Sequence, residues 1–112
     1  MSRRDPLVRI KHMLDFAREA VEMAVGKNTR DLDEDRKLTL ALTHLVELIG
    51  EASSQVPQEV RAKYPAIPWP QITRMRNRLI HGYDVVDYKI LWDTVTQDLP
   101  VLIKELSKIC GA

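Results

Sequence analysis

Apolar residues return at three- and four-residue steps along most of this chain, and few folds other than a helical one suit that period. Leu7, Ile10, Leu14, Ala17, Val21 and Ala24 form the first such stripe, with Arg9, Lys11, Arg18 and Glu19 off it. Asp5 is placed to cap this helix, and Pro6 fits its first turn, where a missing N–H costs no hydrogen bond. Gly26 ends it, and residues 27–30 read as a short loop. A denser set follows: Leu38, Leu40, Ala41, Leu42, Leu45, Val46, Leu48, Ile49 and Ala52. Apolar groups spread so widely around a helix need partners on more than one side. This second helix, starting near Asp31 to Asp33, is therefore expected at the centre of a bundle, with some of its surface free for a dimer seam.

Strand signals are scarce. The chain has four glycines, its alternating runs are short, and no Asn-Gly dipeptide offers a hairpin turn. Pro57 can open a short helical turn over residues 58–63. Pro65, Pro68 and Pro70 then pin an extended connection, because proline disfavours helix at the residue before it. Trp69 is its apolar anchor. A third helix begins at Trp69 or Pro70, turns Ile72, Met75 and Leu79 inward, and ends at Gly82. Asp87 caps a last helix carrying Ile90, Leu91, Val95, Leu99, Leu102, Ile103 and Leu106. Pro100 must kink or divide that helix, since it removes a donor and crowds the preceding turn. The expected fold is all-α: an antiparallel bundle of four main helices plus one short extra turn. Its 112 residues suit a single domain, 1–112, with one modest core.

Several function classes fall away. The net charge of +1 does not mark a nucleic-acid binder, so only local charge can make that case. The one cysteine, Cys110, leaves no internal disulfide or thiolate zinc site and reads as an idle terminal thiol. No apolar run follows the charged N-terminus and none approaches a membrane span, so a cytoplasmic location is expected. There is no glycine-rich phosphate loop. His12 reads as a surface histidine. His44, Glu47 and Glu51 fall on one helical stripe, but a helix-bundle metal site needs Glu-x-x-His on more than one helix. No metal or cofactor is expected. Glu47 or Glu51 can instead orient a nearby arginine, and Glu51 is taken as the supporting candidate.

That arginine lies in Arg74-Met-Arg-Asn-Arg-Leu-Ile-His-Gly-Tyr83, which holds three arginines and a histidine and no acid. Arginine suits bidentate phosphate contact, and histidine moves protons near neutral pH. Arg74 and Arg78 share a helical face, while Arg76 points toward the side where Ile80 follows. On an unbroken helix Arg76 and His81 diverge by about 140°. Two copies related by a twofold axis would bring such pairs together more easily than one chain can.

The segment Arg76-Asn77-Arg-Leu-Ile-His81-Gly-Tyr83 matches the Arg-x4-His-x-Tyr motif of the HEPN superfamily. Its flanks resemble the HepT-like toxin branch: Ile49-Gly-Glu-Ala52, Tyr64-Pro65, Ile67-Pro-Trp69, Met75-Arg-Asn77, Leu91-Trp92 and Asp98-Leu-Pro100. The similarity spans roughly residues 7 to 107. It implies an all-α homodimer with both motifs lining one groove. It also implies a metal-independent endoribonuclease, the toxin of a type VII-like toxin–antitoxin pair. The implied partners are substrate RNA and a minimal nucleotidyltransferase antitoxin similar to enzymes that adenylylate the motif tyrosine, here Tyr83. Arg76 and His81 are then the catalytic pair, with Asn77, Arg74 and Arg78 in support. The rival reading is a non-catalytic helical dimer that binds a nucleotidyltransferase or a nucleotide, its arginines serving only as an anion patch.

Overall fold

The computed structural model describes residues 5–81 and 85–111. Helix α1 spans Pro6–Ala24, and the Asp5 carboxylate accepts the Leu7 N–H at 2.9 Å at its start. Its buried stripe is Ile10, Met13, Leu14, Ala17, Ala20 and Ala24, while Leu7 stays 44% exposed. After the helix Gly26 adopts φ 78°, the left-handed conformation that an L side chain resists.

The second helix is not continuous, contrary to expectation. Thr29–Glu34 forms a separate short helix, α2, closed by a reciprocal cap between Asn28 and Asp31. Asp35 then stands at φ −120°, ψ 92° and does two jobs. Its N–H reaches the Asp31 carbonyl at 2.8 Å, and its carboxylate accepts the Leu38 N–H at 3.1 Å. An aspartate whose side chain competes for backbone donors favours such a corner over a helix interior. From it runs α3, Arg36–Ser54, which buries Leu38, Leu42, Leu45, Val46, Ile49 and Ala52. It packs against α1, against α2 and against both helices of the following rod, so it is the central helix.

Pro57 leads into a single turn, α4, Gln58–Arg61. The proline-rich connection is tied down by Trp69, which is buried and donates its indole N–H to the carbonyls of Arg61 and Tyr64 at 3.2 and 3.1 Å. The third rod is two short helices, α5 (Trp69–Thr73) and α6 (Met75–Leu79), meeting at Arg74 with φ −93°, ψ 2°. Ile72, Met75 and Leu79 face the core as their spacing requires.

This rod stops at Leu79, not at Gly82, and Gly82 lies outside the described residues. Ile80 is already extended at φ −106°, ψ 117°. Ile80–His81 (β1) pairs antiparallel with Val85–Val86 (β2), Ile80 opposite Val86 and His81 opposite Val85. Three of those four residues are β-branched and suit the pleat. The Asp87 N–H takes up the Leu79 carbonyl at 2.7 Å, satisfying an acceptor that the helix end leaves open.

Asp87 also caps α7, Tyr88–Asp93, by accepting the Ile90 N–H at 3.0 Å. A π-helical turn, Thr94–Asp98, joins it to α8, Leu99–Cys110, whose first turn contains Pro100. The Leu99 N–H bonds back to the Thr94 carbonyl, five residues away, and this wider turn is how the chain passes the proline. Leu91, Val95, Leu99, Leu102 and Leu106 are buried along the rod, and α8 packs on α1. The chain is thus the all-α, HEPN-like bundle of four rods that the resemblance implies, with α2 and a two-residue ribbon in addition.

Candidate active site

Rod three lies close against α3 at Gly50, where a Cβ would meet the Ile72 carbonyl at 3.2 Å and the Thr73 carbonyl at 3.8 Å. Ser53 Oγ lies 3.4 Å from Thr73 Oγ1 beside the same crossing. One turn back along α3, and one turn onward in α6, Glu47 and Arg76 come level. Arg76 Nε donates to Glu47 Oε2 at 3.0 Å, with side-chain exposures of 56% and 32%. His44 Nδ1 is 3.8 Å from the other Glu47 oxygen, an ionic distance too long for a hydrogen bond. Ion pairs this exposed add only about 0–1 kcal/mol of stability.

Arg76 and Glu47 lie along a cleft of about 490 Å³ whose walls include Arg36, Thr43, Ile80 and Tyr88. Arg76 therefore does share its side with Ile80. Thr43 Oγ1, in the same wall, is buried without a hydrogen-bond partner among the described residues. Around the cleft Leu40, Val85 and Tyr88 are 53%, 52% and 38% exposed, a cluster of uncovered apolar surface.

The other candidates separate from this cleft. Arg78 lines a different cavity of about 340 Å³, together with Asp98 and Glu105. Arg74 is exposed at the break between α5 and α6, and Asn77 is exposed on α6. Glu51, the expected supporting carboxylate, accepts from Gln55 Nε2 at 3.0 Å and bonds to no arginine among the described residues; the pairing with Arg76 belongs to Glu47. Gly50 is the signal that singles Glu47 out, because a glycine in close approach marks the face of α3 that meets rod three, and a residue three positions away shares that face while Glu51, next in the chain, does not. The backbone of His81 is on β1, so the angle expected of an unbroken helix does not apply. Its imidazole and all of Tyr83 lie outside the described residues.

Among the described residues no three His, Cys, Asp or Glu side chains form a group that could hold a metal, the His44, Glu47 and Glu51 stripe included. No helix among them is long and apolar enough to cross a membrane. His12 is exposed and lies against Phe16, ring centroids 6.1 Å apart. Trp92 is half-buried at the edge of the core. Burial pushes the Cys110 thiol above its ordinary value, and a 2.8 Å hydrogen bond to Asp93 does the same for the Lys89 ammonium. Neither group lines the cleft.

Residues 13–109 match the family model described as Ribonuclease HepT-like. The chain is 36% identical over 100 residues to a protein of Caldanaerobacter subterraneus subsp. tengcongensis named "Putative RNase TTE0752", covering 89% of each. It is also 36% identical over 104 residues to "Probable ribonuclease HepT" of Thermococcus cleftensis, covering 88% of this chain and 94% of that one. A Methanocaldococcus jannaschii protein named "Putative RNase MJ1380" is 32% identical over 106 residues, covering 95% and 97%. No solved structure matches the chain.

Proposed function

The chain belongs to the HepT-like ribonuclease family, and on that premise we propose that it is a metal-independent endoribonuclease acting as a homodimer, with Arg76 and His81 as its catalytic residues. The observation that carries this reading is the placement of Arg76. It is an exposed guanidinium held at the edge of an open cleft, on a helix that runs directly into the strand bearing His81.

Arg76 binds the scissile phosphate and stabilises the charge that builds on its oxygens. One His81 takes the proton of the ribose 2′-hydroxyl as that oxygen bonds to phosphorus. The bond to the 5′-oxygen breaks, and a second His81, from the other protomer, protonates the departing oxygen. The products are a 2′,3′-cyclic phosphate and a free 5′-hydroxyl. Asn77 holds the phosphate or orients His81, and Arg74 steadies a flanking phosphate, with Arg78, set beside Asp98 and Glu105, the weaker of the two supporting contacts. The exposed Leu40, Val85 and Tyr88 beside the cleft support a two-copy arrangement, because apolar surface of that kind gains from being covered. The protein is the toxin of a type VII-like pair, and its partner is a minimal nucleotidyltransferase that adenylylates Tyr83.

Purified protein should cut single-stranded RNA in the presence of a chelator and leave 2′,3′-cyclic phosphate ends. His81→Ala should lower the rate by about 10²-fold or more while the circular dichroism spectrum is unchanged. RNA cleavage by that variant at the wild-type rate would remove His81 from the mechanism. RNA binding without cleavage by the wild-type protein would leave the non-catalytic reading.

A further inference from the structure

Phosphate binding by Arg76 needs a guanidinium aimed at one place, yet this side chain is more than half exposed and stands on a helix of five residues. A long arginine in that setting samples many rotamers unless something holds it. Glu47 reaches across from the central helix and takes the Nε–H at 3.0 Å. Arg76 makes no other hydrogen bond or ion pair with the described residues. The bond is therefore made from the side of the guanidinium, and the two terminal nitrogens keep their N–H groups for another anion.

The geometry points to Glu47 as a positioning residue. It holds Arg76 through Nε so that the terminal pair meets the scissile phosphate end-on, and it does not touch the substrate itself. This inference rests on the assignment of Arg76 as the phosphate-binding arginine. A carboxylate close to a bound phosphodiester also repels it, so Glu47 acts in two opposing ways. Positioning governs turnover, and repulsion governs substrate affinity.

Two substitutions separate these effects. Glu47→Gln keeps an oxygen that can accept the Nε–H and removes the charge, whereas Glu47→Ala removes both. Steady-state cleavage of a short fluorogenic RNA should show kcat about 10- to 100-fold lower in E47A, the cost of a misaimed group, with KM lowered because the charge is gone there too. E47Q should restore kcat to within about threefold and lower KM, since the repulsion is gone. A wild-type kcat in E47A, or an E47Q as slow as E47A, overturns the positioning role. Both variants turning over faster than wild type also overturns it and makes Glu47 a brake.

Arg76→Lys supplies a check that does not depend on how well E47A folds. Lysine has no Nε–H fork, so adding Glu47→Gln to R76K should change kcat no further; an additive loss counts against the inference. Arg76→Ala is measured beside these. If R76A cleaves like wild type, the assignment of Arg76 fails and the inference with it. If R76A is inactive while E47A is normal, only the role of Glu47 fails.

Discussion

A guanidinium that gives its Nε–H to one carboxylate keeps four N–H groups for other anions, and at Arg76 that carboxylate is Glu47. Arg78 bears the same charge among different neighbours. It shares its cavity with Asp98 and Glu105, whose negative charge competes with any phosphate that enters. Arg74, at the break between α5 and α6, is exposed. Of the three, Arg76 is the one that lines the cleft of about 490 Å³ beside Glu47. The same preference bears on the proposed control by Tyr83, two residues beyond His81. An adenylyl group there carries a phosphodiester charge and the bulk of a nucleoside into the region where substrate phosphate must sit. Tyr83→Phe should therefore keep RNA cleavage near the wild-type rate and escape silencing by the nucleotidyltransferase with ATP. Intact-mass spectrometry checks the modification directly, and an adenylylated Y83F would move the acceptor elsewhere.

At the scale of elements, Arg76 reaches Glu47 only because α3 and rod three lie close together, and Gly50 sets that separation. A methyl group there would sit 3.2 Å from the Ile72 carbonyl, so the rod must shift by a few tenths of an ångström. Gly50→Ala should cost about 1–3 kcal/mol through overpacking. It should also slow cleavage more than a surface mutation of equal destabilisation, because the shift carries Arg76 with it. Thermal melts run alongside the RNA assay test this, and a G50A protein with wild-type melting and rate would show that the crossing has slack.

Gly50 also shows what the sequence alone can and cannot deliver. The period of α1 and α3, the anchoring by Trp69 and the division of the last rod near Pro100 were legible because each depends on residues close by in the sequence. The ending of α6 at Leu79 was not, because its carbonyl is claimed by the Asp87 N–H from across the ribbon. The corner at Asp35 was hidden differently, since acidic residues there equally suit the first turn of one long helix. Within the site, the side to which Arg76 points followed from helical period. The choice between Glu47 and Glu51 depended on which face of α3 meets rod three, and apolar residues spread widely around that helix do not single the face out.

For the whole molecule the open question is which Arg76 works with which His81. The cleft beside Arg76 is rimmed by the exposed Leu40, Val85 and Tyr88, so a second copy covering that apolar rim would bring its own motif to the same place. If each site takes Arg76 from one protomer and a single His81 from the other, in place of the two-histidine cleavage proposed above, two inactive proteins should complement each other. In a dimer of one R76A chain and one H81A chain, one site has lost both groups and the other retains both. Random exchange puts about half of all dimers in this mixed state, each with one intact site out of two, so roughly a quarter of wild-type activity should return on mixing. A site built within one chain gives no recovery, because every chain in the mixture lacks one member of the pair. The two-histidine cleavage proposed above also gives none, because the mixed dimer holds a single His81. That case is distinguished by a mixture of wild-type and H81A chains, whose activity should then follow the square of the wild-type fraction. With a site shared between protomers or built within one chain, it should instead fall in direct proportion to that fraction.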